Sequence, residues 1–231
     1  MTLLKPFWQV MITITPETWD KNYTCPLCGS QITSKKVFTE KIVVKSYDED
    51  LKPNYEGINP LLYSIVVCNT CYYAALEIDF EKYISPIYLD ELKNVLSTVK
   101  IPEAIDFGKE RDHKTALISY ALAALCYRAK KQLCKVAEMY LRMGWLHRDL
   151  KDIEAENKAL AKALVSFEEC YMSTYIEEEK EPMILFYLAE LSKRFGKKEE
   201  AIKWFSTLAT KYKNSSSFYV KVGRERWKDL K

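Results

Sequence analysis

The pattern of hydrophobic and polar positions changes period once along this chain, near residue 113. Before that point, apolar residues come in short β-branched and aromatic runs separated by turn formers. Residues 7–15, Phe-Trp-Gln-Val-Met-Ile-Thr-Ile-Thr, predict an edge strand. Residues 36–47 read as a second strand-like stretch, and Leu61 to Val67 as another that runs directly into Cys68. The segment between them, 48–60, contains Pro53, Asn54, Gly57, Asn59 and Pro60 and predicts a long loop. Its acidic run Asp48-Glu49-Asp50 reads as a solvated turn, because the spacing of a calcium loop with a closing glutamate is absent. From Tyr72 a connector follows, with Pro86 and Pro102 as breakers around a short helix from Leu89 to Val99.

Beyond residue 113 the period becomes that of helices. Leu117, Tyr120, Ala121, Ala124 and Leu125 form one predicted buried stripe; Val136, Met139, Tyr140, Met143 and Leu146 form the next. Ile153, Leu160, Leu164, Phe167 and Tyr171 make a third. The charged run 177–181 predicts a solvated break, Pro182 is placed to open a fourth helix, and two more helices are expected over 199–212 and 217–230. The expected fold class is α+β, mostly α: a small N-terminal β-rich, zinc-ribbon-like module followed by a tetratricopeptide-like antiparallel helical array. The corresponding division is residues 1–85 for the cysteine-rich module, 86–112 for a connector and 113–231 for the helices.

Composition supports a globular chain. At 231 residues with 48% hydrophobic content it can bury a core. The seven cysteines are two close pairs plus Cys126, Cys134 and Cys170, an odd number that argues against a secreted disulfide framework and for a reducing, cytoplasmic location. Apolar runs fall short of the roughly 18 to 20 residues that span a bilayer, and the start of the chain, broken by Lys5 and Pro6, does not read as a signal peptide, so no membrane partner is expected. Charge is asymmetric. Residues 1–108 carry 10 lysines against 14 acids, a net −4, and residues 109–231 carry 25 bases against 18 acids, a net +7. A cysteine module that grips phosphates needs a basic face, so an acidic one makes nucleic acid an unfavoured partner.

The sharpest chemical signal is the two pairs Cys25-Pro-Leu-Cys28 and Cys68-Asn-Thr-Cys71. Two residues between thiols let one turn aim both sulfurs at a single ion, and two such turns supply the tetrahedral four-sulfur shell of a closed zinc site. One structural Zn2+ per chain is therefore expected at Cys25, Cys28, Cys68 and Cys71. The 39 residues from Gly29 to Val67 exceed the compact spacing, so the ribbon must carry an insertion. A thiol redox switch at these pairs is an alternative, although a reactive thiolate normally sits at a helix N-terminus, and the sequence after Cys28 is β-prone.

Residues 185–208 resemble a tetratricopeptide repeat: Ala189 allows close helix contact, Gly196 makes the turn, and Ala201 and Phe205 pack the second helix. A fainter copy uses Gly144, the turn 150–152, Leu160 and Ala163; an irregular bundle is the plainer alternative. In the repeat register, Trp145 and Arg148 with Glu190, Lys193 and Arg194 face a concave groove suited to a protein or peptide partner with an acidic or C-terminal segment. Glu190 and Arg194 can instead pair with each other at i, i+4, and Trp145 can be core. The basic residues Lys221, Arg224, Arg226 and Lys228 leave a nucleic-acid-associated regulator as a further alternative. No catalytic constellation is legible: His113 and His147 lack a serine or cysteine nucleophile signature around them, so the chain is not expected to be an enzyme.

Taken together, 25–29 (Cys-Pro-Leu-Cys-Gly), 59–75 through Cys68-Asn-Thr-Cys-Tyr-Tyr-Ala-Ala, 141–148 (Leu-Arg-Met-Gly-Trp-Leu-His-Arg), 187–196 and 201–206 resemble the bacterial family catalogued as domain of unknown function 2225. The resemblance spans nearly the whole chain. It implies a cysteine-rich module joined to tetratricopeptide-like helices and implies no activity. Tyr72 stands where such knuckles place glycine.

Overall fold

The computed structural model describes residues 16–101 and 105–230. The expected strand at 7–15 and the breaker Pro102 lie outside them. Three antiparallel hairpins build the N-terminal part: β1 (Thr18–Thr24) with β2 (Gln31–Val37), β3 (Val43–Tyr47) with β4 (Pro53–Glu56), and β5 (Ile65–Val67) with β6 (Ala74–Leu76). In β2, Ile32, Ser34 and Val37 turn inward, close to the period-2 signature of a half-buried strand. All six residues of β5 and β6 are buried, so these strands read as one apolar run rather than an alternation.

The continuous strand expected over 36–47 is broken in two. The β1–β2 ladder ends where Thr18 faces Val37, Phe38 N donates to Glu17 O, and residues 39–41 make a 3-10 turn before β3 starts. Likewise Leu61 to Val67 divides into a 3-10 turn, Pro60–Tyr63, and β5; the Asn59 side chain accepts from Leu61 N and Pro60 opens the turn. The expected long loop contains β4. Its Pro53 and Asn54 are turn formers by type, yet Pro53 tolerates the first position of a strand.

The β3–β4 hairpin is an arm. Every residue of β3 is exposed, and its register is irregular between Val44 and Ser46. At the tip, Asp48 N donates to Lys52 O and Leu51 N to Asp48 O, with Leu51 in the left-handed region at φ 62°.

Helices follow: α1 (Glu77–Phe80), α2 (Leu89–Ser97), α3 (His113–Ala129), α4 (Leu133–Asp149), α5 (Ile153–Ser173), α6 (Glu181–Arg194), α7 (Lys198–Lys211) and α8 (Phe218–Leu230). Asp112 and Asp152 cap α3 and α5 by accepting from the third amide beyond, and Pro182 stands in the first turn of α6. Three helical hairpins close on one plan. Lys131, Lys151 and Gly196 are left-handed, and the next amide reaches back five residues in each case: Gln132 to Tyr127 O, Asp152 to His147 O, Lys197 to Ser192 O. The left-handed residue's own amide also donates, to Arg128 O, Arg148 O and Lys193 O, and this pair of hydrogen bonds is the Schellman closure.

One apolar core runs from Tyr23 to Val220. α3 packs on β5–β6 through its tyrosines: Leu76 N donates to Tyr127 OH, Tyr127 OH to Asp79 Oδ2 at 2.8 Å, and Tyr120 OH to Leu61 O. That demand rotates the buried face of α3 toward Ala116, Tyr120, Ala123 and Tyr127; Leu125, expected inside, is 41% exposed. The α4 and α5 stripes hold at Val136, Met139, Leu146, Leu160, Leu164 and Phe167, while Ile153, in the first turn of α5, is 68% exposed. Gly144 has no room for a side chain, since a Cβ there would meet Leu160 Cδ2 at 2.5 Å.

Arg111 ties the segment before α3 to two hairpins. Buried, it donates to Phe107 O, Ile65 O and Ser34 Oγ, and loss of hydration takes its guanidinium down to about 10.

Candidate metal centre and helical groove

Each CxxC pair occupies the bend of its own hairpin, β1–β2 or β5–β6. The two bends share one hydrogen-bond pattern. Gly29 N donates to Cys25 O and Cys25 N to Ser30 O; Tyr72 N donates to Cys68 O and Cys68 N to Tyr73 O, all at 2.9 Å. Closing such a bend requires a left-handed residue after the second cysteine. Gly29 supplies it at φ 77° and Tyr72 at φ 59°, so the tyrosine adopts the glycine geometry in spite of its Cβ.

The bends face each other and interleave their sulfurs. Cys25 Sγ lies 3.6 Å from Cys71 Sγ, Cys28 Sγ lies 3.6 Å from Cys68 Sγ, and all four fall within 4.8 Å of one another. A tetrahedral ion with metal–sulfur bonds of about 2.3 Å separates its sulfurs by about 3.8 Å. The four cysteines are therefore close enough to hold a metal ion. Cys25 and Cys68 are buried, Cys71 half-buried and Cys28 exposed. Crowding couples their protons: hydrogen bonds from Cys25 and Cys71 pull the Cys68 thiol down, and those with Cys25 and Cys68 push Cys71 up. Cys25, Cys28, Cys68 and Cys71 would hold a cation as thiolates, with release of their protons.

The remaining cysteines differ. Cys126 is buried on α3, accepts from Ala74 N, and is pushed up to about 11 by burial. Cys134 and Cys170 form a disulfide between α4 and α5, with Cα atoms 5.0 Å apart. The odd cysteine count did not anticipate this bond. Asp152, the cap of α5, is midway between them in sequence, and an antiparallel helical hairpin brings equidistant positions opposite each other.

The five groove residues, Trp145, Arg148, Glu190, Lys193 and Arg194, converge with an element from the other half of the chain. The tip of the β3–β4 arm docks on them, so the acidic run is not a solvated turn. Arg148 donates through Nη1 to Asp48 Oδ2 at 2.6 Å and to Asp50 Oδ1 at 2.8 Å, through Nη2 to Asp50 Oδ2 at 2.7 Å, and through Nε to Glu156 Oε1 at 2.8 Å. Trp145 Nε1 donates to Asp50 Oδ2, and Lys193 Nζ lies 3.3 Å from Glu49 Oε2. Lys52, 3% exposed, pairs with Asp149 at 2.7 Å. Burial opposes ionisation of Asp48, but hydrogen bonds from Asn54 and Arg148 outweigh it and hold the carboxyl below its usual range. Burial likewise opposes the charge on Arg148, and the facing carboxylates of Asp50, Asp48 and Glu156 overcome it, raising its pKa.

Glu190 and Arg194 do not pair with each other. Arg194 turns to Glu156 and Asn157; Glu190, raised by burial, has Lys193 at 3.7 Å and Arg226 Nε at 3.2 Å, near enough for an ion pair but off the line of a hydrogen bond. Arg226 on α8, read as part of a basic surface, also donates to Glu49 O, and Arg224 caps α7 through Tyr212 O and Lys213 O. Asp48, Asp50 and Glu156 join this cluster through Arg148, and periodicity missed them. The opposite net charges of the two halves were the available signal.

Another cavity, of about 460 Å³, lies between Tyr83, Tyr88, Leu133 and Ile184. Its rim charges are satisfied internally, Lys82 by Asp79, Lys180 by Glu177 and Lys135 by Glu138.

Small β-hairpins carrying a four-cysteine cluster, joined to an antiparallel helical array, define the class of this protein. The chain belongs to the bacterial family described as uncharacterized protein conserved in bacteria, domain of unknown function 2225, whose sequence profile matches residues 18–230. It is similar to an uncharacterized protein of Borreliella burgdorferi strain B31, with 28% identity over 148 residues, covering 56% of this chain and 52% of the relative. The chain thus matches about half the length of that relative. No solved structure matches the chain. Among the described residues, no helix is long and apolar enough to cross a membrane.

Proposed function

We propose that this is a zinc-stabilised interaction protein, a scaffold or adaptor whose four thiolates hold one structural Zn2+ and whose helices receive a protein partner. The convergence of four sulfurs from two matched bends carries the metal assignment. Sulfur-only donors at this spacing suit zinc, and four protein ligands leave no position for a water or substrate, which favours a structural over a catalytic ion. The ion would clamp β1–β2 to β5–β6, and β5–β6 is the surface on which α3 rests.

Three helical hairpins closed by the same turn support reading the array as a tetratricopeptide-like platform. We read the chain as a binding protein rather than an enzyme; His113, at the start of α3, lies 3.9 Å from Asp149. Metal analysis of protein purified without added zinc, with parallel thiol titration, tests the site. About one zinc per chain with four protected thiols supports it; iron, or a metal-free disulfide at these cysteines, refutes it. Affinity capture compared between the native chain and a Trp145→Ala/Arg148→Ala chain tests the groove, and equal recovery of every partner removes it from the reading.

A further inference from the structure

The groove contacts main chain as well as charge. Arg148 and Trp145 hold the Asp48 and Asp50 carboxylates, Lys193 meets the Glu49 carboxylate, and Arg226 donates to the Glu49 carbonyl at 3.3 Å. Three successive acids and a backbone carbonyl are read together, which is how a site recognises a peptide rather than a lone anion. The tip does not fill this site: a cavity of about 560 Å³ remains between Tyr47–Asp50 and Arg148, Glu190, Leu191, Lys193 and Arg194. Glu49 is 76% exposed at its side chain, and ion pairs as open as this contribute little. The arm that carries the tip has a wholly exposed β3.

We propose that the α4–α6–α8 groove recognises an acidic peptide segment of another protein, and that the Asp48–Asp50 tip is an internal competitor that closes the groove until such a segment displaces it. The proposal rests on the interaction-protein reading and adds the chemistry of the partner and the device that regulates access. A tethered ligand acts at high effective concentration, so an external peptide sees only the fraction of molecules whose tip is undocked.

The test is fluorescence anisotropy of a labelled peptide bearing residues 46–54 of this chain, titrated with the native chain and with an Asp48→Asn/Asp50→Asn chain. The peptide is expected to bind the variant at least about 10-fold more tightly than the native chain, as for a competitor docked in nine molecules of ten or more. A peptide with its three acids changed to amides should bind neither. Equal affinity for both chains overturns the competitor. Absence of binding to a variant with native circular dichroism overturns the acidic-peptide site, yet leaves the scaffold reading intact if affinity capture still recovers partners. Size increase of the variant on mixing with the native chain, in place of peptide binding, overturns the proposal in favour of arm exchange between copies. Hydrogen exchange on the native chain needs no folded variant: saturating acidic peptide should speed exchange of amides 44–55 several-fold, and unchanged protection overturns displacement.

Discussion

The two cysteine bends and the acidic arm tip each bring a hairpin of the N-terminal part against another element, by contrasting chemistry. At the bends, four soft donors within 4.8 Å converge on one point and are fixed by matched backbone hydrogen bonds. At the tip, three acids meet Arg148, Lys193, Arg226 and the Trp145 indole across a broader surface with a cavity beside it. A coordination shell is complete or lost, because each ligand depends on the other three being in place. An array of ion pairs can yield one contact at a time. The first arrangement suits a permanent clamp and the second a releasable latch.

Removing the clamp should have the largest effect. Structural zinc contributes on the order of 10 kcal/mol in small domains. Here α3 to α8 retain much of the core, so a strong chelator, or Cys68→Ser, is expected to abolish protection of amides in β1, β2, β5 and β6 while far-ultraviolet circular dichroism keeps most of its helical signal. Coincident loss of both signals would mean that the clamp and the helices form one cooperative unit. The latch comes next. Arg148→Ala leaves Asp48, Asp50 and Glu156 facing one another without their shared cation, which should cost about 3 kcal/mol by denaturant titration. Under the same change, zinc content should stay at its native value.

Acid separates the two fastenings. A carboxyl held below its usual value, as at Asp48, adds stability that is present above the unfolded value and lost as pH falls through the folded one. The latch should therefore persist to below about pH 4, the ordinary range of an aspartate. Protons compete with the metal for thiolates at higher pH than that. Zinc release, followed with a chromogenic chelator, should thus precede undocking of the arm, followed by hydrogen exchange; the reverse order would contradict both assignments. The smallest effect is internal to the clamp. Tyr72→Gly removes a left-handed strain of about 1 kcal/mol but also the packing of a half-buried ring, so net stability should move by about 1 kcal/mol or less, with zinc stoichiometry unchanged.

The four-cysteine cluster was legible because CxxC spacing is a local property and both pairs stand beside turn-forming or β-prone sequence. Helices were legible from period and breaker: Pro182 stands in the first turn of α6, as the structure shows. The face of α3 was not, because its orientation answers to Tyr120 and Tyr127 finding hydrogen-bond partners at Leu61 and Asp79, far away in sequence. The destination of Asp48–Asp50 was hidden for the same reason. Local sequence describes an acidic turn equally well whether water or Arg148 faces it, and only the opposite net charges of the halves pointed to a pairing between them. The Cys134–Cys170 bond is a further long-range fact, legible only once Asp152 is known to be the pivot of an antiparallel hairpin.

The exposed arm bears on self-association. Val43, Val44 and Tyr47 lie open to solvent on a two-stranded hairpin, and such an edge is a template for another chain. The irregular register between Val44 and Ser46, with Lys45 at the bulge, twists that edge and places a charge on it. Docking at the tip supplies a second safeguard, since a tethered arm cannot swing out to meet its counterpart on a neighbouring molecule. A partner that lifts the tip would therefore have to cover β3 as well, or the opened chain would adhere to copies of itself.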